Sequence, residues 1–196
     1  MAGSCIATPI TASTAAVVNR FVVSVNMANG PYTVANASPP WAGGCLVTAT
    51  ITANTGNDTP GTLGITGTGI DGRGQTETIT LVAAGTATST RVWRTITNLN
   101  QNGWVINGGN DTITVGCAAG AIPCDTDGTL YGIVVNTTAA AAVVVSDANK
   151  TIATLKASIA EGHYLYGPGV DFVGPLKVST TGANDITVLA TPTRGF

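Results

Sequence analysis

Charge is what this sequence has least of. Asp, Glu, Lys and Arg together make up 9% of its 196 residues, against about 25% in ordinary soluble domains. Basic residues number 8 and acidic residues 10, a formal charge of -2, so no cationic surface exists to attract phosphates and nucleic acid is not an expected partner. The Glu-Lys-Arg-Leu vocabulary that stabilises helices is nearly missing, which excludes long helical stretches. The longest run of small apolar residues, Ala139 to Val145, falls far short of the ~20 needed for a membrane-spanning helix, so no membrane partner is expected either. Met1 to Pro9 carries no positive charge and no apolar stretch of signal-peptide length; the expectation is synthesis in the cytoplasm without secretion.

The residues of reaction chemistry are equally sparse. The single histidine, His163, lies in Glu161-Gly162-His163-Tyr164-Leu165-Tyr166. The sequence places no nucleophile or second acid beside it, so it reads as a surface or packing histidine rather than a general base. Hydrolase elbows and zincin motifs are absent. Cysteines at 5, 45, 117 and 124 lack the close-pair spacing of zinc sites. In a cytoplasmically made protein the expectation is four reduced thiols, the alternative being a bridge between Cys117 and Cys124. Asp125-Thr126-Asp127-Gly128 begins like a calcium loop but lacks the later ligands and the closing glutamate, and reads as an Asp-rich turn. Gly67 to Gly72 matches G-x-G-x-x-G, yet that motif binds pyrophosphate by opening a helix, and here it runs into strand-like alternation at Gln75. No enzyme, catalytic residue, cofactor or metal is therefore expected. The sequons at Asn36, Asn57, Asn110, Asn136 and Asn149 carry little weight in a chain so rich in Asn and Thr.

What the chain has instead is glycine, 25 residues, with threonine, asparagine and alanine. Val47, Ala49 and Ile51 alternate with Thr48, Thr50 and Thr52, and Ile79 and Leu81 with Thr76, Thr78 and Thr80. That is the period of strands half buried against a core. Short β-branched runs punctuated by Gly, Asn and Asp predict an all-β fold: antiparallel β-sandwich, jelly-roll-like or Ig-like units, two in number, with an extended N-terminal arm. The expected divisions are 1–44, 45–122 and 125–196, with the boundary in the small-residue stretch Gly116 to Cys124. Arg20 to Val25 reads as a strand, although Val17, Val18, Phe21, Val22 and Val25 also fit one helical face. The whole segment 1–44, with Asn29-Gly30-Pro31 and Ser38-Pro39-Pro40-Trp41, is either an arm laid across another surface or a first strand plus a long loop. Pro175 would confine its strand to an edge or a bulge, and Asp147 to Lys150 is a plausible hairpin turn.

Gly67 to Thr97 reads as a hairpin. If Ile79 pairs with Val92, Glu77 stands opposite Arg94 on the buried face, a cross-strand ion pair. The two halves share punctuation: Gly61-Thr62-Leu63 matches Gly128-Thr129-Leu130, and Gly108 to Val115 is similar to Gly182 to Val188. Either duplication or convergence on the same turn chemistry accounts for this. Low net charge does little to keep copies apart, which suits a protein packed against neighbours, or else a monomer solubilised by hydroxyls and amides. Candidate interface residues are Phe21, Tyr32, Trp41, Trp93 and Trp104, with core packing the more common fate of any single tryptophan.

Thr62 to Leu81, centred on Gly67-Thr68-Gly69-Ile70-Asp71-Gly72 and Gln75-Thr76-Glu77-Thr78-Ile79, followed by Thr88 to Thr97, resembles a pattern in structural proteins of tailed bacteriophages. There a strand ending in Gly-Thr-Asp-x-x-Gly leads into Thr-Glu-Thr-Ile and a return strand; here Gly69 and Ile70 lengthen the turn. Gly128 to Val135, on to Ile186 to Leu189, looks like small β-domains of phage heads and fibres. The resemblance implies a virion structural protein. Its leading form is a capsid decoration (cement) protein bound to the major capsid protein or other virion proteins, as a homo-oligomer with a trimer favoured. The alternatives are a tail, connector or fibre component, or a host-surface or carbohydrate-binding adhesin module.

Overall fold

The computed structural model describes residues 8–53, 58–105, 107 and 111–193. Among these there are strands and no helix, so the chain is all-β. In order the strands are β1 (Thr8–Ile10), β2 (Val17–Asn26), β3 (Cys45–Thr52), β4 (Thr62–Thr68), β5 (Gly74–Thr80), β6 (Thr86–Trp93), β7 (Thr95–Asn102) and β8 (Thr112–Cys117). They continue with β9 (Ala121–Cys124), β10 (Gly128–Val135), β11 (Val143–Ser146), β12 (Thr151–Leu155), β13 (Gly162–Phe172), β14 (Leu176–Thr180) and β15 (Ile186–Pro192). The alternation read from sequence decides which side chains are inside. Cys45, Val47, Ala49 and Ile51 of β3 are buried and the threonines between them are not.

Two compact units result. A mid-chain unit comprises Ala16–Pro39 and Cys45–Ala118; a split unit comprises Met1–Ala15, Pro40–Gly44 and Ala119–Phe196. One division falls after Ala118, and the described residues 8–44 are not a separate arm but are shared between the two units. β1 pairs with β15 in the split unit, β2 pairs with β8 in the mid-chain unit, and Gly44 exchanges backbone bonds with Ile122. Extended chain next to an open sheet edge pairs its backbone there while burying its apolar side chains, such as Ile10 and Phe21.

Each unit is built from two antiparallel sheets, ordered β2-β8-β3-β6 and β5-β4-β7 in the mid-chain unit, β1-β15-β10-β13 and β12-β11-β14-β9 in the split unit. The two orders are the same. Adding seven to each of β3 to β8 gives β10 to β15 in the same places, with β2 and β1 as corresponding edges. Even the strand beside β14 has a counterpart, since Tyr32 and Ala37 bond to β7 at Leu99 and Ile96. The repeated Ile-Thr-Val falls on equivalent positions: Ile113 faces Ile51 and Val115 faces Ala49, as Ile186 faces Val135 and Val188 faces Ile133.

The hairpin of Gly67 to Thr97 is built differently from its expectation. Gly69 to Arg73 turns the chain tightly, with Gly69 N donating to Arg73 O at 3.0 Å, Gly72 at φ +76° and Asp71 Oδ1 accepting from Arg73 N at 2.9 Å. This reversal pairs β5 with β4, so Glu77 stands opposite Ile65 and Ile79 opposite Leu63. β6 belongs to the other sheet, with Val92 opposite Leu46. Ile79 therefore does not pair with Val92, and Glu77 does not meet Arg94. Pro175 also lies outside its strand: β14 starts at Leu176 and runs between β11 and β9, which suits a residue with no N–H to offer a central ladder.

Candidate interaction surface

In β10 the pairing register shifts between Leu130 and Gly132 against both neighbours. The intervening Tyr131 is left out of the ladder, and a bulge of this kind re-aims a side chain. Tyr131 is 42% exposed. Next to it runs a cross-strand row, Leu189–Gly132–Leu165, and then a second, Thr187–Val134–His163. Ile133 and Val188, on the opposite parity, point into the core, so both rows lie on the outer face of the sheet. Leu165 is 61% exposed. It leans across Gly132, where an added Cβ would sit 2.9 Å from Leu165 Cδ2 and 2.6 Å from Tyr164 O.

The equivalent face of the mid-chain unit gives the contrast. Its rows are Gly116–Thr48–Thr88 and Thr114–Thr50–Thr86, with Thr50 Oγ1 and Thr86 Oγ1 hydrogen-bonded at 2.9 Å. Same strand order and same register thus carry threonine with Gly116 on one unit, and leucine and valine beside Thr187 and His163 on the other. A threonine carpet keeps its hydroxyls in water. Exposed leucines gain by being covered. Flanking Leu165 on the opposite parity, Tyr164 and Tyr166 are half-buried; the Tyr164 hydroxyl donates to Ala160 O at 2.8 Å, and burial pushes the Tyr166 phenol pKa up.

A second apolar feature lies beside β2. A cavity of about 370 Å³ is lined by Val22, Val23, Val25, Pro31 and Ala35 with Tyr32, and no charged side chain lines it. The Tyr32 hydroxyl already donates to Met27 O at 2.7 Å, and burial pushes its pKa up. Val18 and Val23 of the same strand are exposed. Asn29 and Thr33 complete its lining; the β10–β13 face is the stronger candidate because Leu165 is the most exposed large apolar side chain among the described residues.

The interface residues chosen from sequence are mostly elsewhere. Phe21, Tyr32, Trp41 and Trp93 are buried in the chain's own core, where large rings contribute most to packing, and they are not surface anchors. Trp104 is half-buried, and its indole N–H, like that of Trp93, is buried without a partner. The surface that is exposed carried a fainter signal: Tyr131-Gly132 interrupts an alternating strand, and Leu165 is wedged in Tyr164-Leu165-Tyr166. His163 is exposed opposite Val134.

The other motifs are structural in this fold. Gly67 to Gly72 forms the end of β4 and its turn, with no helix following. Asp127 Oδ1 accepts from Gly174 N at 2.9 Å, pinning the approach to β14. No group of three or more His, Cys, Asp or Glu able to hold a metal occurs among the described residues. Cys124 is disulfide-bonded, while Cys45 and Cys117 are free thiols. That corrects the expectation of four reduced cysteines and rules out a Cys117–Cys124 bridge: a compartment argument says nothing about which thiols the fold brings within bonding reach. Comparison with protein-family models, curated proteins and solved structures gave no match for this chain.

Proposed function

We propose that this chain is a structural protein of a tailed-bacteriophage virion, and within that class a capsid decoration protein seated on the outer lattice of the major capsid protein in many copies, with a trimer as its oligomeric form. One observation carries the reading: the outer face of β10, β13 and β15 sets Leu165, Val134 and Leu189 among Thr187 and His163, where the equivalent positions of the mid-chain unit are Thr88, Thr50 and Gly116 among threonines. Exposed Leu165 and its apolar neighbours on that face gain by being covered, which suits a protein seated on another surface. The resemblance of Thr62 to Thr97 to phage structural proteins supplies the kind of surface. An adhesin reading needs exposed aromatics beside polar loops, whereas the exposed Tyr131 lies inside strand β10.

Quantitative mass analysis of particles incorporating the chain tests the proposal. Hundreds of copies per particle are expected; six, twelve or a small multiple would move the protein to the tail or connector. A Leu165→Asp variant should be displaced from the particles while remaining folded.

A further inference from the structure

Cys45 opens β3 and Cys117 closes β8, and these strands pair antiparallel with Val47 opposite Cys117. The two cysteines are therefore diagonal neighbours across the ladder. Both are on the buried face at 0% exposure, and their Sγ atoms are 3.0 Å apart. A protein disulfide has sulfurs about 2.05 Å apart, so joining them needs a shift of about 1 Å and no rearrangement of strands. The other described cysteine, Cys124, is already disulfide-bonded.

We propose that Cys45 and Cys117 form a dithiol–disulfide pair that oxidation closes into a staple between β3 and β8 of the mid-chain unit. The oxidant is a low-molecular-weight disulfide such as oxidised glutathione. One cysteine thiolate attacks a glutathione sulfur, the glutathione S–S bond breaks, and one glutathione thiol leaves. The second cysteine then attacks the mixed disulfide and expels the other. Two protein thiols and one glutathione disulfide become one protein disulfide and two glutathione thiols, with no further electron acceptor needed. Neither sulfur is open to solvent in the folded unit, so exchange proceeds before the sheet closes or when it opens. The pair thus retains the redox state in which the chain folded. Closing the loop from Leu46 to Gly116 restricts the unfolded chain, which stabilises the folded unit.

The test refolds the full chain in a glutathione redox buffer and, in parallel, in excess dithiothreitol. Thiols are then alkylated in denaturant and the digest is mapped. The expected result is a Cys45–Cys117 linked peptide in the oxidised sample alone, with a melting temperature higher by roughly 10 °C. Cys117→Ala is the control, because the equivalent position in the split unit is Ala190, opposite Leu130. It should abolish the part of the redox-dependent shift that belongs to this pair and leave the part due to Cys124. Alkylation of both Cys45 and Cys117 after oxidative refolding, or linkage of either to another cysteine, overturns the proposal.

Discussion

Glu77 holds Thr90 by two atoms at once: its Oε1 accepts from the Thr90 N–H at 2.7 Å and from the Thr90 hydroxyl at 2.8 Å. Its Oε2 accepts from Arg91 N at 3.2 Å, and Gln75 Nε2, two residues back on β5, donates to Val92 O at 2.6 Å. β5 and β6 are edges of different sheets of one unit, and these side chains join them where no backbone ladder does. An edge strand with unpaired backbone groups is a site of unwanted pairing; here a carboxylate and an amide satisfy it.

Glu77→Ala should therefore destabilise the protein by about 1–3 kcal/mol, since it removes charge-assisted bonds to β6. Arg94→Ala should stay within about 0.5 kcal/mol, as an exposed residue outside any such network. Urea unfolding of the two variants checks this. Equal losses would restore the Glu77–Arg94 pair.

Truncation should damage the split unit selectively. β1 supplies Thr8 to Ile10 to β15, and just beyond it Thr14 Oγ1 accepts from Thr180 N at 2.8 Å while Thr14 N donates to Thr180 O at 2.9 Å, with Thr14 buried. Removing residues 1–15 uncovers the edge of β15 and leaves Thr180 unsatisfied. In hydrogen exchange the amides of β10 and β15 should lose protection and those of β3 and β8 keep it. Unchanged protection in β15 would mean that β1 is dispensable.

The β10–β13 face separates binding from stability. Leu165→Asp, at an exposed position, should leave the unfolding free energy within about 0.5 kcal/mol. Gly132→Ala should cost more, because the new methyl meets the Tyr164 carbonyl at 2.6 Å and the backbone must shift; an overpacking loss of about 1–3 kcal/mol is expected. Denaturant midpoints of the two variants decide it.

Asp147 gives a pH signature. Its carboxylate accepts from Asn149 N, Lys150 N and Val173 N, and these bonds, led by that from Asn149, hold its pKa below the ordinary 3.8. The folded value lies below the unfolded one, so the contribution to stability is present at every pH above the unfolded value and is lost as pH falls through the folded value. An NMR titration should place the Asp147 midpoint below that of an unfolded peptide. Asp147→Asn should remove this part of the acid dependence.

Much of the fold was legible because strand alternation is a local property. Thr against Val at period two, with Gly, Asn and Asp at the turns, assigned β3, β4, β5 and β8 and the turn at Asp147 without any partner strand being known. The surface was not legible in the same way. Tryptophan and tyrosine were the natural interface candidates, yet Trp93 and Tyr32 found room inside, and burial is fixed by neighbours far along the chain.

By itself, then, the sequence determined an all-β chain of low charge, and the buried face of strands such as β3 and β5. Only the tertiary structure decided which strand lies beside which. It took β6 away from β5 and gave it to β3, brought β1 to β15, and set Cys45 against Cys117. The physical reason is that hydrophobic alternation is satisfied by any neighbour of the same period. Which neighbour it gets depends on turns such as Gly69 to Arg73 and on burial summed over a whole unit.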